Sequence, residues 1–575
     1  MPLRFLAPGA LTAAALLNAG CLTTGPLEYL RNGFKVGPEY SRPPAPVAED
    51  WIHSQNPSVQ NRHLQDWWLV FEDSALNNLV DTAFSQNLNL RSIGTRVLQA
   101  RAAQAIAAGN FFPQTQQASA SYSRVGISRN TANNVTALDP LFLQPGNAAA
   151  LALIPADQTP TNWYAEWSTG LNMSWELDFW GRLRRQIESA NANLDASVEN
   201  YDDALVTLLA DVATNYVQFR VAQQRIKIAR DNVQIQEGIL HLAEERFRVG
   251  TATKLDVEQA RTVLEQTRST IPALQITKGQ ANDVLCVLLG VPPRDLEPDL
   301  GQGSPLGADP MLNTPGWVAA GIPADLLRRR PDLRSAERQV ATQSAQIGVA
   351  EADLYPTIAI NGTLGLEAQN LSKLFESSSF FGTIMPSLKW NILNYGRIQN
   401  NVHLQETRLR ELIAAYQNRA LVAAQEVETS LRGFLRSREQ AEALADSVKA
   451  AKAATDTGVG QYRAGTIDFN RVFNLETTQV QQQDQLALAQ GNIALNLIAV
   501  YRALGGGWEI RTHKDAAGNP APALPAVPVP LPPAAPAPPP RKPATAAISS
   551  PAAAYPELGP TSLTSLVPGS APGSR

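Results

Sequence analysis

Two hydrophobic periods alternate along this chain. In the first, Leu194, Val198, Tyr201, Leu205, Leu208, Val212, Tyr216 and Phe219 recur every three or four residues, a heptad-like seam that a helix brings onto one face. Leu409, Ile413, Tyr416, Ala420, Ala423, Val427, Leu431 and Phe434 repeat that seam further on. Proline is absent from 161–271 and from 387–519, so nothing in the backbone interrupts a long helix there. A helix over 183–246 would run on the order of 90 Å, far beyond what a globular core needs. Such seams predict antiparallel coiled-coil packing: they hold helices together and are not themselves a site.

The second period is two. Trp167, Thr169, Leu171, Met173, Trp175 and Leu177 alternate with Ser168, Gly170, Asn172, Ser174 and Glu176, as in a strand with one apolar and one wet face. Phe380, Gly382, Ile384, Pro386, Leu388, Trp390 and Ile392 repeat the pattern around Thr383, Ser387, Lys389 and Asn391. Ile358, Ile360, Leu364 and Leu366 predict a third strand, and 115–125 a weaker fourth. Trp163, Tyr164, Trp167, Trp175, Trp180, Trp390 and Tyr395 lie near strand ends, as interfacial aromatics do. Four strands cannot close a membrane barrel, for which about eight is the smallest number, and an open edge in lipid leaves backbone groups unpaired. The chain is therefore expected to oligomerise. Two copies give a barrel filled by side chains, three give twelve strands around water, and a duct favours three.

The whole pattern occurs twice. Arg91-Ser92, Val97 and Pro113 recur as Arg334-Ser335, Val340 and Pro356, about 243 residues on. Trp175, Gly181-Arg182, Phe219, Arg248, Gly250-Thr251 and Leu289-Gly290 recur about 215 residues on, as Trp390, Gly396-Arg397, Phe434, Arg463, Gly465-Thr466 and Leu504-Gly505. The shorter displacement implies a longer loop in the first copy, which the Asn-, Ala-, Pro- and Gln-rich stretch 130–160 fits. Each copy is predicted to run helix, strand, strand, long helix, helix. The predicted divisions are an export signal over 1–20, an N-terminal segment over 21–65, repeat 1 over 66–292, a linker over 293–325, repeat 2 over 326–508 and a tail over 509–575.

Composition narrows the function classes. The chain of 575 residues is 17% charged with a net charge of -4, so nucleic acid finds no electrostatic footing. No apolar run in the body of the chain is long enough for a spanning helix, and a bilayer crossing would have to be made by strands. The first residues carry a basic start, a small-residue apolar stretch and then Asn18-Ala19-Gly20-Cys21, which reads as an export signal ending in a lipobox with Cys21 as the acylated residue. Asn18 stands where lipoboxes usually carry Leu. Cys286, the other cysteine, lies in an apolar run and is expected in the core. His53, His63, His241, His403 and His513 have no metal-ligand spacing, and Gly301, Gly303 and Gly307 lie in a Pro-rich linker rather than between a strand and a helix. No enzyme chemistry, metal or cofactor is implied. From Pro520 the chain is dominated by Pro and Ala and cannot bury a core.

Four strings resemble the outer membrane factor family, specifically its TolC-, OprM- and NodT-like lipoprotein branch, over nearly everything from Cys21 to Trp508. They are Val36-Gly37-Pro38-Glu39-Tyr40 with Arg42-Pro43; Trp67-Trp68, Phe71, Leu76-Asn77 and Leu79; 327–334 (Leu-Arg-Arg-Arg-Pro-Asp-Leu-Arg) through Ala336-Glu337-Arg338; and 501–508 (Tyr-Arg-Ala-Leu-Gly-Gly-Gly-Trp). The resemblance implies a mixed α and β membrane protein: a homotrimer whose strands form a twelve-stranded outer-membrane barrel continuous with a long periplasmic α-barrel. It further implies a periplasmic adaptor protein and an inner-membrane pump, of RND type, as partners, with outer-membrane lipid holding acylated Cys21.

Two helix-to-helix turns share one composition, 246–251 (Arg-Phe-Arg-Val-Gly-Thr) and 461–466 (Gln-Tyr-Arg-Ala-Gly-Thr). Glycine suits the left-handed exit of a helix, and threonine is expected to begin capping the next one. By resemblance these turns, with Arg248, Gly250, Thr251, Arg463, Gly465 and Thr466, are where adaptor hairpins touch. The resemblance also places a periplasmic gate beside them: Tyr462 reaching Asp256, with Arg471 and Asn474 where TolC-like members carry two aspartates. Asp468, one turn from Arg471, is placed to pair with it or with a neighbouring protomer, or simply to start a helix. The reading is an exit duct for small molecules in tripartite efflux. The alternatives are a type I secretion duct and a non-conducting structural or adhesive lipoprotein of the outer membrane.

Overall fold

The computed structural model describes residues 25–60, 65–126, 163–301 and 311–512. Cys21, the stretch 130–160, Gly303, Gly307, His63, His513 and the Pro/Ala-rich tail lie outside the described residues. The helices are α1 Pro26–Arg31, α2 Ser74–Gln86, α3 Leu88–Gly109, α4 Arg182–Arg248, α5 Lys254–Leu288, α6 Glu297–Gly301, α7 Leu326–Arg329, α8 Pro331–Ala352, α9 Arg397–Ala464 and α10 Phe469–Ala503. The strands are β1 Val59–Gln60, β2 Thr115–Gly126, β3 Trp163–Leu177, β4 Val318–Ala319, β5 Thr357–Ala368 and β6 Phe380–Lys389. The succession helix, strand, strand, long helix, helix thus occurs twice, as α3-β2-β3-α4-α5 and as α8-β5-β6-α9-α10.

Strands β2, β3, β5 and β6 pair antiparallel, in that order, in one sheet with β2 and β6 as its edges. The register aligns the alternation across all four strands. Ala118, Leu171, Leu364 and Gly382 form one row, and Gln116, Met173, Gly362 and Ile384 the next. This face is bare: Leu171 is 61% exposed and Ile384 78%. The opposite face is a ladder of side-chain hydrogen bonds. Ser174 Oγ donates to Asn361 Oδ1 at 2.8 Å, Asn361 Nδ2 to Ser387 Oγ at 3.2 Å, Thr363 Oγ1 to Asn172 Oδ1 at 3.0 Å and Asn172 Nδ2 to Ser119 Oγ at 3.1 Å. Pro386 sits in β6, where an edge strand tolerates its missing N–H. The last predicted strand ends sooner than the alternation suggests: β6 stops at Lys389, and the Trp390 indole N–H donates to the Leu354 carbonyl at 3.0 Å, turning the chain toward the helices.

Helices α4 and α9 have 67 and 68 residues, on the order of 100 Å each. Each returns in a 35-residue helix, α5 or α10. Helix α5 runs through Pro272, which is exposed, so the ring meets no packed neighbour. No described helix is long and apolar enough to cross a membrane. The largest core lies where α2, α4, α5, α9 and α10 meet, and it contains Leu205, Tyr216, Phe219, Leu431, Phe434 and Cys286.

The strings that carry the resemblance pack around this core. The Trp67 ring stacks on Tyr501 at 5.7 Å. Arg334 lies 4.5 Å over Trp508 and bonds Glu199 at 2.6 Å. Arg330 donates to the Ala503 carbonyl at 2.9 Å and pairs with Asp332 and Glu426. Gly37 abuts Gly348 with no room for a Cβ, while buried Arg185 holds the Val36 and Gly37 carbonyls at 3.0 and 2.8 Å. Burial pushes the Asp202 carboxyl up, against the opposing pull of Arg511 at 3.0 Å and of Arg334.

Candidate functional site: the paired turns at the helix ends

The two turns ending α4 and α9 lie side by side. In the first, the Gly250 N–H reaches the Phe247 carbonyl at 3.0 Å and the Thr251 N–H the Arg246 carbonyl at 2.8 Å. In the second, the Gly465 N–H bonds Tyr462 at 2.9 Å and the Thr466 N–H bonds Gln461 at 3.0 Å. Both glycines are left-handed, with φ of 77° and 78°, where a Cβ would be strained. Arg248 and Arg463 stand exposed beside them, and Val249 and Leu255 add exposed apolar surface on the first turn.

The threonines do not cap the following helices. The hydroxyls of Thr251 and Thr466 donate backward, to the Arg246 and Gln461 carbonyls at 3.1 and 3.0 Å, because the exposed last carbonyls of a helix need donors. Capping falls to residues further on. Thr253 and Asp256 form a reciprocal box at the start of α5, and the Asp468 carboxylate accepts from the Arg471 N–H at 3.3 Å at the start of α10. Asp468 therefore meets the backbone of Arg471 rather than its guanidinium, which is exposed. Asn474 is also exposed and donates back to the Asn470 carbonyl at 2.9 Å.

Tyr462 lies inward, 5.4 Å from the Phe469 ring, in a cluster with Ile239, Ala243, Val257, Ala260 and Val472. Its hydroxyl is buried and makes no hydrogen bond among the described residues, and Asp256 is engaged with Thr253, so the expected Tyr462–Asp256 bond is not formed within the chain. Asp256 is still felt. Burial and then its negative charge push the Tyr462 phenol up, opposed by Arg246. Arg246 is the residue that periodicity misses: its guanidinium sits 4.7 Å over the Tyr462 ring and donates to the Tyr462 carbonyl, tying α4 to α9. The signal in the sequence is that Arg246 corresponds to Gln461 in the repeat, the one place where the two turns differ in charge.

Among the described residues the sheet has two unpaired edges, one apolar face and one polar face, and it joins two very long helices. The sequence profile described as "outer membrane efflux protein" matches residues 79–291 and 322–506. The chain belongs to the outer membrane efflux protein family. The pyoverdine export outer membrane protein OpmQ of Pseudomonas putida is 29% identical over 447 residues, covering 77% of this chain and 88% of that one. The cation efflux system protein CusC of Escherichia coli is 28% identical over 481 residues, covering 83% and 96%. Among solved structures, the outer-membrane channel OprN superposes with a TM-score of 0.73 at 30% identity, over 82% of this chain and 99% of that one. These efflux relatives are channels and transport proteins of the outer membrane, and the helical framework described above is that of this family.

Proposed function

We propose that this chain forms, as a homotrimer, the exit duct of a tripartite efflux system, carrying small molecules from an inner-membrane pump and a periplasmic adaptor to the exterior. The four-stranded sheet carries the proposal. Among the described residues, its edges β2 and β6 each leave a row of backbone groups unpaired, and its apolar face has no cover. Pairing β6 of one copy with β2 of the next satisfies both edges, and three copies close twelve strands with the Ser174–Asn361 ladder inward and Leu171 and Ile384 toward lipid. The long helices of three copies then extend the lumen below the barrel.

Within this reading the divisions of the chain keep their predicted boundaries, Cys21 is the lipid attachment site, and most of the chain is periplasmic. Arg248, Gly250, Thr251, Arg463, Gly465 and Thr466 form the adaptor-docking surface, the pump is of RND type, and no residue performs catalysis. Tyr462, Asp256, Asp468, Arg471 and Asn474 surround the constriction. Because the Tyr462 hydroxyl bonds nothing here, Arg246→Ala is the substitution that loosens the closed end.

Deleting the gene in a strain carrying its adaptor and pump should cause intracellular retention of the pump's small-molecule substrates, and the intact gene should restore export. Unchanged retention on deletion, or loss of secretion of a protein substrate alone, contradicts the proposal.

A further inference from the structure

The apolar core of the long helices is interrupted. The main cluster reaches Val221 on α4 and Ala489 on α10, and a separate cluster beside the turns begins at Ile239 and Val472. Between them Ile226, Ala229 and Ala487 are still buried and apolar, but the positions nearer the turns become polar: buried Asn232 and Gln236 on α4, and buried Glu476 and Gln479 with half-buried Gln483 on α10. Thr267 of α5 and Thr455 of α9 are buried at the same level, set by the Arg268–Glu237 bridge at 2.6 Å and by Thr455 Oγ1 donating to the Leu475 carbonyl at 3.3 Å. Asn232 Nδ2 donates to Gln483 Oε1 at 2.8 Å, and on these antiparallel helices that register brings Gln236 opposite Gln479 one turn nearer the ends. Among the described residues, both polar atoms of the Gln236 side chain, Oε1 of Gln479 and Oε1 of Glu476 are buried without a hydrogen-bond partner, in residues only 3%, 7% and 4% exposed. Each such group costs about 1–3 kcal/mol, so the helix packing is weakened at this layer.

We propose that this polar layer is the hinge about which the helix ends splay to open the duct, with Glu476 as its control: as a neutral acid it seats in the dry layer, and as a carboxylate it draws in water and loosens it. The inference rests on the duct reading and adds a regulation to it. Burial alone pushes the Glu476 carboxyl up to about 7, from an ordinary 4.5. Charges on the packed helices do not offset it. On α4 and α5, Glu237 is taken by Arg268 and Glu244 by Arg261; on α9, Lys452 and Asp456 are exposed; on α10, Asp484 is taken by Arg225 and Arg471 is exposed. On α4, His241 is exposed beside Glu245 at 3.8 Å. The closed form holds the Glu476 proton more tightly than a hydrated, open layer does. The closure it favours is complete below 4.5 and is lost as pH rises toward about 7.

The test is single-channel conductance of the purified, reconstituted full-length protein, with pH varied on the side of the helix ends. Open probability of wild type should rise on the order of tenfold between about pH 5 and 7.5, while Glu476→Gln stays low and flat. Gln236→Leu with Gln479→Leu, which makes the layer apolar, should also hold the channel closed throughout. A Glu476→Gln profile that follows wild type overturns the proposal, and so does a flat wild-type profile. Arg246→Ala separates the two levels. A pore in that variant with a flat wild-type profile sinks the hinge alone, whereas no pore in any variant at any pH sinks the duct reading itself.

Discussion

Arg246 and Tyr462 show how a functional contact hides from a sequence. Tyr462 lies in a repeated turn, which the sequence shows, while its burial against Phe469 and Val472 is visible only in the fold. Arg246 reads as a solvated end-of-helix cation, because its partner lies 216 residues away and only the antiparallel register brings them together. Arg246→Ala removes a cation–π contact and a charge-assisted hydrogen bond, which should cost about 1–2 kcal/mol locally and raise single-channel conductance, whereas Tyr462→Phe, losing no bond, should leave conductance near wild type. The polar hinge hid for the same reason: glutamines at heptad spacing look like a surface face until the opposing helix is known. At the core, Arg511 neutralises buried Asp202 at 3.0 Å. Arg511→Ala should lower the midpoint of thermal unfolding of the purified protein, with a destabilisation of about 1–2 kcal/mol because Arg334 remains nearby.

At the scale of elements the sequence was most readable where one side of an element differs from the other. Strict alternation located β3 and β5, and the seams of α4 and α9 fell on buried positions such as Leu205, Tyr216, Val427 and Phe434. Strand ends were less readable, since Trp390 continues the alternation while its indole is drawn to Leu354. The two faces of the sheet give a direct comparison. Ile384→Lys, on the bare apolar face, should cost about 2–4 kcal/mol in the membrane and deplete the protein from urea-washed outer membranes. Asn361→Lys, on the hydrogen-bonded face, should still insert and instead shift ion selectivity of the channel. Gly465→Ala, at a φ of 78°, should cost about 1 kcal/mol and weaken adaptor binding measured with the purified partner.

For the whole molecule, the expectation of an oligomer comes from the sequence, because four strands of this pattern cannot satisfy their own edges in lipid. Which strands stand at the edges was not legible, since that depends on the strand order β2-β3-β5-β6, which leaves the first and last strands outermost. Membership of the outer membrane efflux protein family supplies the cellular role, and the sheet supplies the reason that one chain is insufficient for it. The central claim is therefore that the functional object is a closed trimer. Single-particle imaging of the full-length protein in lipid nanodiscs tests it most directly. The account predicts three-fold particles with β6 of each copy paired to β2 of its neighbour and one lumen running from the barrel to the paired turns. A two-fold or monomeric particle, or three-fold particles whose sheets stay open at β2 and β6, would contradict it.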